Sequence, residues 1–496
     1  MKLPTHELRQ RFAHGALLAS LVSLTACVNL APDYVRPAAP VPAGWQAQVA
    51  GSAKADAAAI PETDWREVIV DARLRQVVER ALDGNRDLRV AIANIEKARA
   101  SYRIQRADLF PALNASGSMT RERTSAAAAS SGVSSISSTY KAQLGISSYE
   151  LDLFGRVSNL SEAALQAYLS LAETQRSVRL SLIAEVSTAW LTLAADQQQL
   201  RLARETLATR ERSLDLLQQA KALGGESGPS VAAARASREA ARASAASYAS
   251  VVEQDRHALD LLVGATVPDD ILPGDAVASD EAGSSLLLSV PAGLSSSVLL
   301  RRPDVLAAEH TLMAYNADIG AARAAFFPTV SLTGSGGSTS RSLDNLFSAG
   351  SGAWSFAPSI SLPIFDAGAN RAGLDSARAQ QAAGLATYEK TIQTAFQEVA
   401  DALSVRSHVG EQLDAQREQV TALALSLRYA EDLRREGSGS ALDVLDAQRS
   451  LFTAQQSLIS LRLSEQSNRV TLFKVLGGGA MDASAKDAKD SSARAG

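Results

Sequence analysis

One cysteine, five histidines and 5% aromatic residues in 496 positions supply neither a disulfide framework nor an aromatic-filled interior. Cys27 has no cysteine to pair with, so an internal disulfide is excluded. His6 and His14 fall near the N-terminus, His257, His310 and His408 are far apart, and no metal-ligand spacing appears. A formal charge of −4 and a pI near 5.9 leave no basic face for nucleic acid. Serine clusters such as Gly132-Val133-Ser134-Ser135 lack a nucleophile-elbow setting. Gly477-Gly478-Gly479 follows a helix end and opens no phosphate-cradling strand-loop-helix. Carboxylates are abundant but fall on amphipathic helices as solvated faces. No catalytic residue, cofactor or metal is expected, and the chain reads as something other than an enzyme. Beyond Cys27 no run approaches the ~18 to 20 apolar residues of a membrane-spanning helix, so a spanning part has to be β.

Alanine, leucine, serine and glutamine dominate instead, a composition that suits long, closely packed helices. At the N-terminus Lys2, Arg9 and Arg11 precede an apolar run over 12–26, the pattern of a secretory signal. Its end, Leu24-Thr25-Ala26-Cys27, resembles a bacterial lipobox, which makes Cys27 the expected lipidation site after removal of residues 1–26. Val28 and Asn29 follow, without the aspartate that in lipoproteins commonly retains the product at the inner membrane. Residues 27–64 read as an extended tether, with Pro32, Pro37, Pro40 and Pro42. A helical pattern then runs from 65 to 109, with Leu74, Val77, Val78, Ala81 and Leu82 at helical spacing.

The chain then repeats itself. Arg106-Ala107-Asp108-Leu109-Phe110-Pro111-Ala112-Leu113 returns 217 residues later as Arg323-Ala324-Ala325-Phe326-Phe327-Pro328-Thr329-Val330, and Leu262-Val263-Gly264 returns 213 later as Val475-Leu476-Gly477. Each copy reads helix, two strands, two long helices. Proline ends the first helix, and strands with period-two alternation follow: Leu113, Ala115, Gly117 and Met119, then Tyr140, Ala142, Leu144 and Ile146. The second copy offers Val330, Leu332 and Gly334, then Trp354, Phe356, Pro358, Ile360 and Leu362. Ser- and Gly-rich stretches 124–138 and 335–352 are expected to be loops. The first helix of the first hairpin would extend roughly 100 Å, and Val186, Leu193, Leu200, Leu207 and Leu214 recur along it every seven residues. Val444, Leu451, Leu458 and Leu472 keep that spacing in the second copy, with Glu465 as the exception. The expected organisation is a first repeat over 65–265 (β-hairpin 111–151, helical hairpin 157–264), a connecting segment 266–300, a second repeat 301–477 (β-hairpin 328–364, helical hairpin 369–476) and a disordered tail 478–496.

The stretches Tyr149-Glu150-Leu151-Asp152-Leu153-Phe154-Gly155-Arg156, Leu362-Pro363-Ile364-Phe365-Asp366-Ala367-Gly368, Leu300-Arg301-Arg302-Pro303-Asp304 and Leu442-Asp443-Val444-Leu445-Asp446-Ala447-Gln448-Arg449 resemble the TolC-like outer-membrane efflux lipoproteins, the outer membrane factor family of NodT/OprM type. The resemblance implies a mainly α fold with a membrane β part. In it a homotrimer shares a 12-stranded outer-membrane β-barrel, with four strands per chain, continued by a 12-helix periplasmic α-barrel. It further implies a lipid-anchored exit duct in the outer membrane. Its partners would be outer-membrane lipid, a periplasmic adaptor (membrane fusion protein) and an inner-membrane transporter of RND, ABC or MFS type. Leu442, Asp446 and Arg449 lie at i, i+4 and i+7, on one helical face, and match the family's periplasmic gate. The bland alternative is an intrahelical Asp446–Arg449 pair with Leu442 as a packing residue. The turns around Gly225, Gly228, Gly437 and Gly439 would face the adaptor. A lipid-anchored adaptor or coiled-coil scaffold is the alternative reading, although an adaptor carries one helical hairpin where this chain carries two.

Overall fold

The computed structural model describes residues 28–42, 44–45, 64–128, 130, 132–274 and 296–478. Cys27, the signal segment 1–26, most of the tether, most of the connecting segment and the tail beyond 478 lie outside the described residues. The chain divides into two units. One gathers Met1–Ala38, Asn94–Ala172 and Ala307–Tyr388; the other gathers Ala39–Ala93, Glu173–Leu306 and Glu389–Gly496.

In chain order the elements are α1 (Trp65–Val68), α2 (Ala72–Gly84), α3 (Arg86–Ala107), β1 (Leu113–Thr124), β2 (Ser135–Leu151), α4 (Arg156–Ala222) and α5 (Gly228–Val263). The second copy supplies α6 (Pro303–Ala324), β3 (Thr329–Ser340), β4 (Gly352–Ser361), α7 (Ala369–Arg435) and α8 (Ala441–Val475). Two features differ from the sequence reading. The expected helix over 65–109 is three helices, because Asp71 accepts from the amides of Arg73 and Leu74 and starts α2 afresh. Asn85 then breaks the chain again, accepting from the Leu88 amide as α3 begins. Parts of the expected loops are also strand, since β2 begins at Ser135 and β3 continues to Ser340.

In the first unit the four strands form one antiparallel sheet in the order β1-β2-β3-β4. Its register sorts the side chains by face. Leu113 pairs with Ile146, Ala115 with Leu144 and Met119 with Tyr140. Val330 pairs with Ile360, Leu332 with Pro358, Gly334 with Phe356 and Gly336 with Trp354 on that same face. Leu113, Leu144, Trp354, Phe356 and Ile360 are all more than half exposed, so this apolar face has no cover among the described residues. The opposite face pairs Ser116 with Gln143 and Ser118 with Lys141, and hydroxyl pairs join Ser331 to Ser359 (2.8 Å) and Ser335 to Ser355 (2.9 Å). A bulge between Ile146 and Tyr149 shifts the alternation. Ser148 takes a left-handed φ of 49° there, and its amide donates to Thr333 Oγ1. The shift puts Tyr149 and Leu151 on the apolar face, opposite Leu332 and Val330.

Both strand pairs hand over to a long helix through an aspartate cap. Asp152 accepts from the amides of Val157 and Ser158, and Asp366 accepts from those of Gly368 and Asn370. Residues 28–36, expected as a tether, are held against this unit. Val28 N–H donates to Leu153 O, Asn316 Nδ2 to Pro32 O at 2.7 Å, and Arg36 makes a two-pronged pair with Glu309 at 2.6 Å.

In the second unit α1 and α2 pack Trp65, Leu74, Val77 and Val78 against Val186, Trp190 and Leu193 of α4, Leu259 of α5 and Phe473 of α8. Val186, Leu193, Leu200 and Leu214 are buried, as are Val444, Leu458 and Leu472 of α8. One stretch of α4 is long and apolar enough to cross a membrane, but 56% of it is buried inside the fold, which marks it as a core segment. The duplication reaches individual contacts. Asn85 Nδ2 donates to Leu262 O at 2.8 Å, and Arg302, its counterpart 217 residues on, donates from Nη1 to Val475 O at the same distance.

Two adjacent glycines of β3 give a test of the sheet. A Cβ at Gly337 would lie 2.2 Å from Ala142 O, whereas nothing stands within 4 Å of one at Gly336. Gly337→Val is expected to abolish the strand signal in circular dichroism and Gly336→Val to preserve it. Equal behaviour of the two variants would contradict the register.

Candidate functional site

The far ends of the two helical hairpins lie in the second unit. After α4 the reversal uses Gly224 in a left-handed conformation (φ 74°), and Ser227 caps α5 by accepting from the Ser230 amide. After α7 the left-handed residue is Gly437 (φ 82°), and Ser440 and Asp443 form a reciprocal capping box at the start of α8. Gly439 is required for another reason: a Cβ there would lie 2.9 Å from Arg434 N. Gly225 and Gly228 have no such constraint, because a Cβ would meet only Ala220 O at 3.6 Å or Lys221 Nζ at 3.7 Å. Glu226 reaches Arg434 at 3.5 Å, so the first turn is ion-paired to the end of α7. The amide of Ser227, followed by the Ser230 hydroxyl, holds the Glu226 carboxyl below its ordinary range. That pairing was not read from the sequence.

The start of α8 has two distinct faces. Ala441 and Leu445 are buried with Leu214 and Leu217 of α4 and Val231 and Ala234 of α5. On the other side Leu442 is 56% exposed, and the Asp446 and Arg449 side chains are 55% and 73% exposed. Asp446 and Arg449 pair at 3.0 Å, while Leu442 packs into no core among the described residues. Screened pairs of this kind contribute about 0.3–0.5 kcal/mol, so the pair does not hold the helix in place. The buried side of α8 does.

One buried cation beside this face gave no signal in the sequence. Arg210 of α4 is 6% exposed. It donates from Nη1 to Ser237 O of α5 at 3.0 Å, and its guanidinium lies 5.7 Å from the Phe452 ring of α8. Its Nε finds no acceptor. Burial, reinforced by the charge of Arg449, pulls its pKa below the ordinary arginine value. Repulsion from this fixed cation favours Arg449 on the exposed side, towards Asp446. The histidines stay apart: His310 contacts Gln166 Oε1 and His408 contacts Ser404 O. Among the described residues no three histidine, cysteine or acidic side chains converge on a metal position.

A family model described as outer membrane efflux protein matches residues 77–265 and 294–478. The chain is 48% identical over 453 residues to the probable efflux pump outer membrane protein TtgC of Pseudomonas putida, covering 91% of this chain and 92% of that one. It is 44% identical over 468 residues to outer membrane protein OprJ of Pseudomonas aeruginosa, covering 94% and 96%. Among solved structures, the open state of the Neisseria gonorrhoeae MtrE outer membrane channel matches with a TM-score of 0.80 at 38% identity, over 91% of this chain and 98% of that one.

Replacing a buried, poorly compensated charge by an apolar side chain of similar length is often neutral or stabilising, whereas truncation leaves a void. Arg210→Met is therefore expected to melt at or above the wild-type temperature, and Arg210→Ala to lose about 1–3 kcal/mol. Thermal unfolding of the two variants decides this, and a large loss in the Met variant would show that the charge itself holds the helices.

Proposed function

The chain belongs to the outer membrane efflux protein family, and from that premise we propose that three copies of it close a barrel of twelve strands, continued by twelve helices into the periplasm. The chain is an outer-membrane efflux channel of a tripartite pump. The duct conducts passively. It carries no chemistry of its own, and its substrates are delivered by a periplasmic adaptor from an inner-membrane transporter.

The observation that carries this reading is the four-stranded sheet, whose apolar face is uncovered and whose edges β1 and β4 are unpaired among the described residues. Unpaired backbone groups are not tolerated in lipid, so the edges require partners. Closure by two copies would give eight strands, whose interior side chains fill; closure by three leaves a lumen. The polar face of Ser116, Ser118, Ser331 and Ser359 then lines water. Triacylation of Cys27 fits the docked segment after it, since Val28 is hydrogen-bonded to Leu153, two residues past the end of β2.

Leu442, Asp446 and Arg449 are the proposed gate. Each is exposed in the chain, and threefold repetition would set three leucines, three carboxylates and three guanidiniums around the axis of the helical tube. The turns at Gly225, Gly228, Gly437 and Gly439 are the proposed adaptor contacts, with Gly225 and Gly228 the positions at which side chains fit without disturbing the turn.

The replacement Leu442→Ala, Asp446→Ala, Arg449→Ala is expected to raise single-channel conductance in planar bilayers several-fold and to sensitise cells to large antibiotics. Unchanged conductance in a correctly assembled trimer would reduce the three residues to surface helix. For the anchor, Cys27→Ala should lose metabolic palmitate labelling while some protein still reaches the outer membrane; palmitate on the Ala variant would refute the lipidation site.

A further inference from the structure

Between α4 and α5 two acids meet where salt bridges would be expected. The carboxyls of Asp196 and Asp255 are hydrogen-bonded to each other, and Asp255 Oδ2 is buried with no donor. An ionised carboxylate only accepts, so two in contact either share a proton or repel. The charged and titratable groups around the pair are of both signs. Glu185 of α4 and Lys474 of α8 line a cavity of about 500 Å³ with Asp255, Thr188 and Thr192. Arg256, the next residue in α5, is taken by Asp269. Tyr248 of α5 lies near Asp196, which together with burial raises its hydroxyl pKa. Burial first, then the hydrogen bond and charge of Asp196, push the Asp255 carboxyl up to about 6. Burial likewise raises Asp196. The proton belongs to the pair.

Beside the pair, polar ties span three helices. Gln456 Nε2 of α8 donates to the Tyr248 hydroxyl of α5 at 3.0 Å, and Gln199 Nε2 of α4 donates to the Gln456 carbonyl at 3.0 Å. Both helices of the first hairpin are thus tied to α8, ten to fourteen residues beyond Leu442 and Asp446. A second cavity, of about 480 Å³ and lined by Gln199, Tyr248, Gln456 and Ser460, leaves room beside these ties.

We propose that Asp196 and Asp255 form a proton-binding latch: one shared proton fastens α4 to α5, and its loss forces the two helices apart and loosens their tie to α8. The chemistry stands on the pair alone, while its effect on conduction rests on the duct reading. The sign follows from the raised carboxyl. The latch is fully present below the ordinary carboxylate range and is lost as pH rises through about 6. With ordinary carboxyls in the loosened state, the fastened-to-loosened ratio falls about tenfold between pH 5 and pH 8.

Full-length trimer is the material for the test. Infrared spectra should show a protonated carboxyl band that titrates near pH 6 in wild type and is absent in Asp255→Asn. Asp255→Asn, which keeps a hydrogen bond without a titrating group, should melt with wild type at pH 5 and above it at pH 8. In planar bilayers, the closed-to-open ratio of wild type should fall about tenfold over that range and stay flat in the variant. Asp196→Asn gives the same comparison should Asp255→Asn fold poorly. A missing band, or an unaltered pH response in both variants, overturns the latch. Trimers that conduct with a flat wild-type response remove the latch and keep the duct; a chain that titrates near pH 6 without conducting keeps the proton site and removes the duct.

Discussion

A β-sheet in lipid cannot leave its edges open, and most of this chain follows from that constraint. Four strands with one apolar and one hydroxyl-rich face suit a fragment of a barrel, because among the described residues Trp354, Phe356 and Ile360 have nothing to bury against and β1 and β4 have no outer partners. The hydroxyl pairs Ser331–Ser359 and Ser335–Ser355 satisfy one another across strands, which leaves that face stable in water without burial. Membership of an outer-membrane efflux family supplies the environment that such a sheet demands.

The helical part answers a different requirement. Helices of 67 residues cannot be held by a single core, so contacts recur along them: the cluster around Trp190, the Leu214–Leu445 cluster near the turns and Val409, Leu413 and Leu458 on the second hairpin. Buried polar groups punctuate the apolar seam. Asn85 and Arg302 fill equivalent places in the two repeats with different chemistry, each capping the carbonyl end of its hairpin's returning helix. Arg302 also takes Asp304 and Glu398, both at 2.7 Å, so the second repeat has an ionic hub where the first has a neutral cap. Duplication preserved the position while the side chain diverged.

What the sequence made legible was whatever depends on periodicity or on proline. Pro111 and Pro328 mark where helix yields to strand, and the seven-residue spacing from Val186 to Leu214 picked out side chains that are mostly buried. The face of α8 carrying Leu442, Asp446 and Arg449 was also readable, since their spacing alone puts them on one side. Less visible were features set by one residue against a distant neighbour. The bulge at Ser148 reverses the inward and outward order for Tyr149 and Leu151, and no pattern within β2 announces it. Arg210 looked like one more surface arginine, and only the approach of Ser237 and Phe452 buries it. The tie between residues 28–36 and α6 joins segments nearly 300 positions apart, beyond the reach of local composition.

At the turn end of the second hairpin, packing residues and the proposed gate residues occupy different faces of a single helix. Ala441, Val444, Leu445 and Gln448 are buried and fix where α8 starts, while Leu442, Asp446 and Arg449 face away, joined by one weak ion pair. A gate needs that division. Residues that hold a resting state closed must exchange partners without unfolding their helix, so their energy has to come from contacts between copies and be small within one. Arg210 lies at the junction of the two faces, contacting Phe452 from the buried side and acting on Arg449 by charge alone. A permanently charged group fixed in the packed face can thus bias the orientation of an exposed one, and the buried half of α8 thereby sets which way its exposed half points.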